Sequence, residues 1–493
     1  MSSLPPAARR VPGCLATALA MLLAGCAVQP YAPAAGDLPA VPPAWTEASA
    51  PLAGAEDRAE RLTGWWRHFG DAELTALVEL ALARNTDVRS AQAALRQARA
   101  QRAVSAAGLQ PTLDFTGAAQ RGRTDGQPAS NQFSVGVDAA WELDLAGGLR
   151  AGQAAAEADV GASAASLDDT RVSIAAEVAL AYIDLRGNQR RLAVARANLA
   201  NQEEILQITR WREQAGLVTV LEVEQARGTV EETRASLSGL ESAVVQALNG
   251  LAVLCAQTPG SLHARLGAPR DAPPAVPRPA AALAVSLPAD TLRQRPDVRA
   301  AEHRVAAARA RLDEAQAARY PSLRLTGSLG LSALTLGALD GAGVASSVLA
   351  SVGLPLFDGG ARAAQAEIRD AELEQAYHAY GAAVLKALRE AENALTALRT
   401  ARDALVSREL AAEAAATADT LAGQRYASGL VDFQVVLDTQ RTRLSAEDGV
   451  VSAAAQLAAN HVQLYKALGG GWPAQATPES APLSSTGTPS PAP

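Results

Sequence analysis

Residues 132–145 alternate between apolar and polar positions without a break. Phe133, Val135, Val137, Ala139, Trp141, Leu143 and Leu145 fall on one side, and Gln132, Ser134, Gly136, Asp138, Ala140, Glu142 and Asp144 on the other. Successive side chains of a strand point to opposite faces, so the segment predicts a strand with one apolar and one wet face. Weaker versions occur at 111–120 (Leu113, Phe115) and at 321–332 (Leu323, Leu325, Leu329, Leu331). A fourth covers 346–357, with Val348, Ala350, Val352, Leu354 and Leu356. The four form two hairpins through the polar loops 121–131 and 333–345. Lengths of roughly ten residues suit a tilted membrane-spanning strand. A four-stranded soluble sheet packed on helices is the alternative. Four strands leave open edges that lipid does not tolerate, so a spanning sheet must be completed by other subunits.

The period then changes. After each hairpin comes a glycine pair, Gly147-Gly148 and Gly359-Gly360, followed by a long helical pattern. No proline appears from 149 to 210, which corresponds to roughly 90 Å of helix. Val178, Leu185, Leu192, Leu199 and Leu206 recur every seven residues, as in a coiled-coil seam. In the second half Leu388 and Leu395 share one seam position, and Ala391, Leu398 and Leu405 another. Matching breaks end the two patterns, Gln214-Ala215-Gly216-Leu217-Val218 and Ala427-Ser428-Gly429-Leu430-Val431, and second helices return over 219–254 and 432–468.

The halves are copies of one another. Residues 87–117 align with 297–327 without a gap and are identical at 12 of 31 positions. Asp-Val-Arg, Ala-Arg-Ala and the Pro-x-Leu that opens each strand all return. Chance matching of an alanine-rich chain would give about a third of that. The chain is a tandem duplication, each half a strand hairpin joined to a long helical hairpin. The expected fold is mainly α with a small β part. Long helical hairpins would form an α-barrel, and four transmembrane strands per protomer would contribute to a β-barrel.

Residues 1–25 have a basic start, Arg9 and Arg10, and an apolar run from Cys14 to Leu23. That run is too short to span a membrane as a helix and has the dimensions of a signal peptide. It ends Leu23-Ala24-Gly25-Cys26, which looks like a bacterial lipobox with Cys26 as the lipid acceptor. An ordinary secretory cleavage beside an incidental cysteine is the alternative. Two or more acyl chains, at roughly 0.8 kcal/mol per methylene, anchor a protein permanently. Ala27 follows; an Asp there would resemble an inner-membrane retention signal, so Ala27 favours the outer membrane. Residues 26–63 read as a lipid tether and 64–256 as the first repeat. A Pro-rich linker covers 257–290, the second repeat 291–470 and a disordered tail 471–493.

The chain has 493 residues, 48% hydrophobic but only 4% aromatic, which suits long alanine-rich helices. A net charge of −7 and the lack of any basic run exclude a nucleic-acid partner. Cys14, Cys26 and Cys255 give neither a disulfide framework nor zinc spacing, and the five histidines have no partner at ligand spacing. No nucleophile constellation or phosphate loop is present, so the chain is not expected to be an enzyme.

Further motifs carry a family resemblance. They are Trp65-Trp66-Arg67-His68-Phe69-Gly70-Asp71, Arg295-Pro296-Asp297-Val298-Arg299-Ala300-Ala301-Glu302, Tyr320-Pro321-Ser322-Leu323 and Arg425-Tyr426-Ala427-Ser428-Gly429-Leu430-Val431. Val435-Val436-Leu437-Asp438-Thr439-Gln440-Arg441 adds to them. Over about 64–470 the chain resembles the TolC-type outer-membrane efflux channels, in the lipoprotein branch of NodT type. The resemblance implies a homotrimer, a twelve-stranded barrel in outer-membrane lipid, and a helical tunnel through the periplasm. It also implies a collar built from the segments near Trp65–Asp71, the linker and the C-terminus.

The function implied is a passive exit duct. A periplasmic adaptor (membrane fusion) protein would dock on the tunnel's lower end, and an inner-membrane pump of RND type would supply the energy. No cofactor is implied beyond the covalent lipid on Cys26. Adaptor contacts in the family fall at the helical turns, here Gly216, Leu217, Val218, Gly429, Leu430 and Val431. Its closing polar groups lie just before the second turn, which makes Asp419, Arg425 and Tyr426 the gate candidates. Some relatives carry an acidic residue where Gly423 stands, so the ring is displaced or missing here, and Asp419 also reads as a plain solvated helix residue. The alternatives are the outer-membrane duct of a type I protein secretion system and a structural periplasmic lipoprotein without a channel. The alternating strand at 132–145 argues against the latter.

Overall fold

The computed structural model describes residues 39–46, 62, 64–123, 126, 128–267, 275–279 and 288–470. The leader 1–25, Cys26, Ala27 and the tail 471–493 lie outside the described residues. By backbone contacts the chain divides into two compact units, each drawing on both repeats. Of the described residues, one comprises 39–40, Ala93–Ala164 and Ala300–Ala383; the other comprises those within 41–92, 165–299 and 384–470.

The duplication extends to both strand hairpins and to the long helices around them. Helix α1 (Ala72–Arg84) precedes α2 (Thr86–Ala107), strands β1 (Thr112–Gly122) and β2 (Ser130–Leu143), and helices α3 (Gly148–Gln214) and α4 (Val220–Leu254). In the second repeat come α5 (Pro296–Ala317), β3 (Ser322–Ala333), β4 (Val344–Gly353), α6 (Ala361–Ala427) and α7 (Phe433–Ala467). Helices α2 and α5 both have 22 residues, α3 and α6 both 67, and α4 and α7 both 35. The fourth strand begins two residues and ends four residues earlier than its alternation suggests, so Leu354 and Leu356 lie beyond it. Part of the second hairpin loop is a short 3₁₀ turn, Leu336–Gly341.

In the first unit the strands form one antiparallel sheet in the order β1-β2-β3-β4, so both hairpins merge into a single surface. Helices pack close to one another there. The ion pairs Arg102–Glu157 and Arg311–Asp159 tie α2 and α5 to α3. A Cβ at Gly161 would come within 2.7 Å of the His303 ring, so only glycine lets α5 approach α3 at that point. Leu312 and Leu373, both fully buried, pack with Ala308 between α5 and α6.

The second unit holds the seam. Val178 and Leu185 are completely buried, Leu192 and Leu206 nearly so, and Leu199 packs beside them. Its aromatic centre explains the Trp65–Asp71 motif. Trp65 stacks on Tyr465 at 5.0 Å between ring centroids. Asp71 caps α1 by accepting from Glu73 N and Leu74 N, and its other oxygen accepts from Tyr182 Oη at 2.8 Å. Burial and that carboxylate push the Tyr182 phenol well above its ordinary range.

The Arg-Pro-Asp motif has an equally local reason. The Arg295 guanidinium, 6% exposed, grips both oxygens of Asp297 (3.0 and 2.7 Å), reaches Glu390 at 2.7 Å and donates to the Ala467 carbonyl at 2.8 Å. A buried guanidinium is tolerated only when its donors are matched in this way. Pro296 occupies the first position of α5, where its missing N–H costs nothing. Part of the segment read as tether is also docked: Trp45 is buried, and Thr46 N donates to Glu392 Oε1 at 2.8 Å.

Candidate functional site

Register decides the character of the sheet. On one face Phe115 pairs with Val137 and Val137 with Leu329, while Val135 meets Leu331 and Trp141 meets Leu325; in the outer pair Leu323 meets Val352 and Leu331 meets Val344. The odd positions of β1, β2 and β3 thus share one face with the even positions of β4. Phe115 is 76% exposed and Val348 81%, so this apolar face covers no protein core. On the other face Asp114 sits opposite Asp138, Glu142 opposite Arg324 and Ser328 opposite Ser347. Thr116 Oγ1 donates to Asp138 Oδ2 at 2.8 Å, and the two serine hydroxyls lie 2.7 Å apart. At the rim the Trp141 indole donates to the Leu109 carbonyl at 3.0 Å, keeping its polar end satisfied beside an apolar surface. β1 and β4 are the sheet's edges.

Both helical breaks close in the same way. Gly216 (φ 73°) and Gly429 (φ 71°) take the left-handed conformation. Leu217 N then reaches back to the Arg212 carbonyl, and Leu430 N to the Arg425 carbonyl. The reversed N–H satisfies a carbonyl that the helix end leaves open, and glycine adopts the required φ without strain. The residue after each glycine is thrust outward: Leu217 is 69% exposed and Leu430 74%. Val218 and Val431 are half-buried. Ile208, Trp211, Val220 and Leu221 are exposed around the first turn as well. They were legible as apolar residues beside a turn, but a helical pattern does not reveal which of them lack a partner.

The three gate candidates occupy different environments. Asp419 on α6 forms an ion pair with Arg443 on α7 at 3.1 Å, and Arg443 also holds Glu447 at 2.8 Å. Tyr426 bridges the repeats, its hydroxyl donating to Glu222 of α4 at 3.1 Å while the Arg212 guanidinium lies 4.5 Å above its ring and Phe433 packs alongside. Burial, and then Glu222, push the Tyr426 phenol up. Arg425 is exposed. Arg443, Glu222 and Arg212 were not legible as partners, because each lies on another helix. Elsewhere Cys255 is buried with its thiol against the Leu77 carbonyl, and no cluster of metal-ligating side chains occurs among the described residues.

A sheet apolar on its outer face and polar on its inner one, with open edges and duplicated helical hairpins, defines a membrane-channel subunit. Comparison places it further. The family model for outer membrane efflux proteins matches residues 77–257 and 287–470. Outer membrane protein OprJ of Pseudomonas aeruginosa is 33% identical over 474 residues, spanning 93% of this chain and 96% of that protein. Nodulation protein T of Rhizobium leguminosarum bv. viciae is 31% identical, over 94% and 95% of the two chains. Among solved structures, the outer-membrane channel OprN superposes with a TM-score of 0.77 at 34% identity, covering 87% of this chain and 99% of that one. The chain belongs to the outer membrane efflux protein family. It is a channel subunit of the outer membrane and serves as the exit duct of an efflux system.

Proposed function

We propose that three copies close their sheets into one barrel and pass to the outside what an inner-membrane pump, through a periplasmic adaptor, delivers to the helical end. The observation that carries this reading is the four-stranded sheet itself. Its lipid-type face is exposed and its edge strands β1 and β4 are unpaired, an arrangement that is stable in a bilayer only when neighbouring copies supply the missing ladders. The duct needs no energy source of its own. Detergent-extracted protein is expected to run at the mass of a trimer and to form conducting pores in planar bilayers, and deletion should lower tolerance to the pump's substrates. A monomer without conductance would overturn the reading.

Cys26 is the lipid acceptor in this proposal. Intact-mass analysis of the mature protein should show an acyl adduct that a Cys26→Ala variant lacks. The variant's barrel should still insert, since the strands supply the spanning surface. An unmodified terminus at another residue in the wild-type protein would remove the anchor.

At rest the lower end must be shut, and the contacts of Tyr426 and Arg425 are proposed to hold it. Tyr426→Phe keeps the ring beneath Arg212 but loses the bond to Glu222. Combined with Arg425→Ala it should raise single-channel conductance. Unchanged conductance would place the constriction elsewhere.

A further inference from the structure

In the second unit α4 and α7 both pack on α3 and meet one another where Ala226 and Val230 join Val436 and Leu437, and two grooves border α3 and α7. One is lined by Val194 and Ala197 of α3, by Val450 of α7 and by the linker residues Ala275, Val276 and Arg278. The other, of about 520 Å³, is lined by α3, α4 and α7 and by no linker residue. A duct must keep its bore clear, so the face crossed by the linker is the outer one and the second groove opens to the bore.

We infer that this groove is a binding site in the duct wall for a drug-sized zwitterion, meeting its ammonium at Glu232 and its carboxylate at Arg441. The inference rests on the duct reading. Glu232 stands on the α4 wall with no cation among the described residues paired to it, and Arg441 stands on the α7 wall. Arg441's one ion pair among those residues is with Asp438 at 3.9 Å, and both groups are more than half exposed. Such a contact holds an arginine weakly, leaving it available to an incoming anion. The other charges in the groove are already matched, Arg191 gripping Asp448 at 2.6 and 3.1 Å.

The rest of the lining fits the ligand's ammonium end and its apolar body. The Thr229 and Ser236 hydroxyls donate to the carbonyls of Gln225 and Thr233, so what they offer a further partner is lone pairs. Gln202 is 5% exposed and its Oε1 has no partner. It is an acceptor left without a donor on the α3 floor of the groove. Ala195, Leu240 and Leu444 supply apolar surface between the charged walls. The volume lies within the range of pockets that hold small organic ligands, about 300–1,000 Å³.

Three fluorescent probes share one aromatic body and separate the charges. They are Nα-dansyl-lysine (zwitterion, its α-carboxylate and ε-ammonium separated by the length of the side chain), dansylcadaverine (the same molecule without the carboxylate, a cation) and dansylglycine (anion). On purified full-length protein in detergent the zwitterion should bind saturably, once per protomer, and about tenfold more tightly than either other probe. Glu232→Gln should reduce its affinity to that of the anion, and Arg441→Gln to that of the cation. Both positions are exposed, so neither variant threatens folding. Equal affinity for the three probes, or affinities that neither variant changes, would overturn the site. Conductance of the same preparation in planar bilayers separates the two readings. Pores that conduct but do not discriminate the probes would sink the site alone, whereas protein that forms no pores would sink the duct.

Discussion

Arginine at position 137 should prevent assembly, and arginine at the next position should not. Val137 lies mid-strand on the apolar face, between Phe115 of β1 and Leu329 of β3. A guanidinium there must sit in hydrocarbon, at a cost of about 2–4 kcal/mol near the bilayer midplane. Each copy in a closed barrel bears that cost, so the effect multiplies with the number of subunits. Asp138 faces the other way, opposite Asp114. The Asp138→Arg variant would lose the bond from Thr116, but it would also turn a like-charge cross-strand pair into an opposite-charge one, a small gain. Val137→Arg should therefore abolish the trimer band in membrane extracts, and Asp138→Arg should leave it. Equal tolerance of the two substitutions would mean that the sheet does not span the membrane, and failure of Asp138→Arg alone would mean that the face assignment is inverted.

Why this much could be read from the sequence is clear in the sheet. Period-two alternation fixes which residues share a face on any one strand, and 132–145 shows it in full. What alternation cannot fix is which strand lies beside which. The pairing of β2 with β3, which joins the two repeats into one surface, depends on contacts between residues nearly two hundred positions apart, such as Val137 and Leu329. The helices follow the same logic. Heptad spacing identified Val178, Leu185 and Leu192 as seam residues, and they are buried. It could not show that Asp419 would meet Arg443, or Tyr426 meet Glu222, because the long helices bring those residues together only after folding. The Arg295 motif was legible as a family signature, but its reason, a buried guanidinium shared among Asp297, Glu390 and the Ala467 carbonyl, is visible only in three dimensions.

The same limit applies at the helical turns, where exposure is the decisive quantity. Replacing both Leu217 and Leu430 by aspartate should abolish efflux while leaving a membrane-inserted trimer. Each leucine follows a left-handed glycine and is mostly exposed, so its loss forfeits almost no packing. Surface substitutions of this kind change stability by about 0.5 kcal/mol or less. A carboxylate near the negative end of a helix adds a penalty of about 0.3–1 kcal/mol. Neither is enough to unfold the protein, so a defect would report lost docking. The two turns should not count equally. Around the first, Trp211, Val220 and Leu221 are exposed at 60, 61 and 65%. At the corresponding positions of the second repeat stand Gln424, the buried Phe433 and Gln434. The first turn therefore offers a partner the larger apolar surface, and Leu217→Asp alone should cost more efflux than Leu430→Asp alone. Drug tolerance of each single and double variant, read beside trimer abundance in the membrane, measures this. Wild-type tolerance in the double variant would remove docking from the turns, and equal single-variant losses would remove the asymmetry.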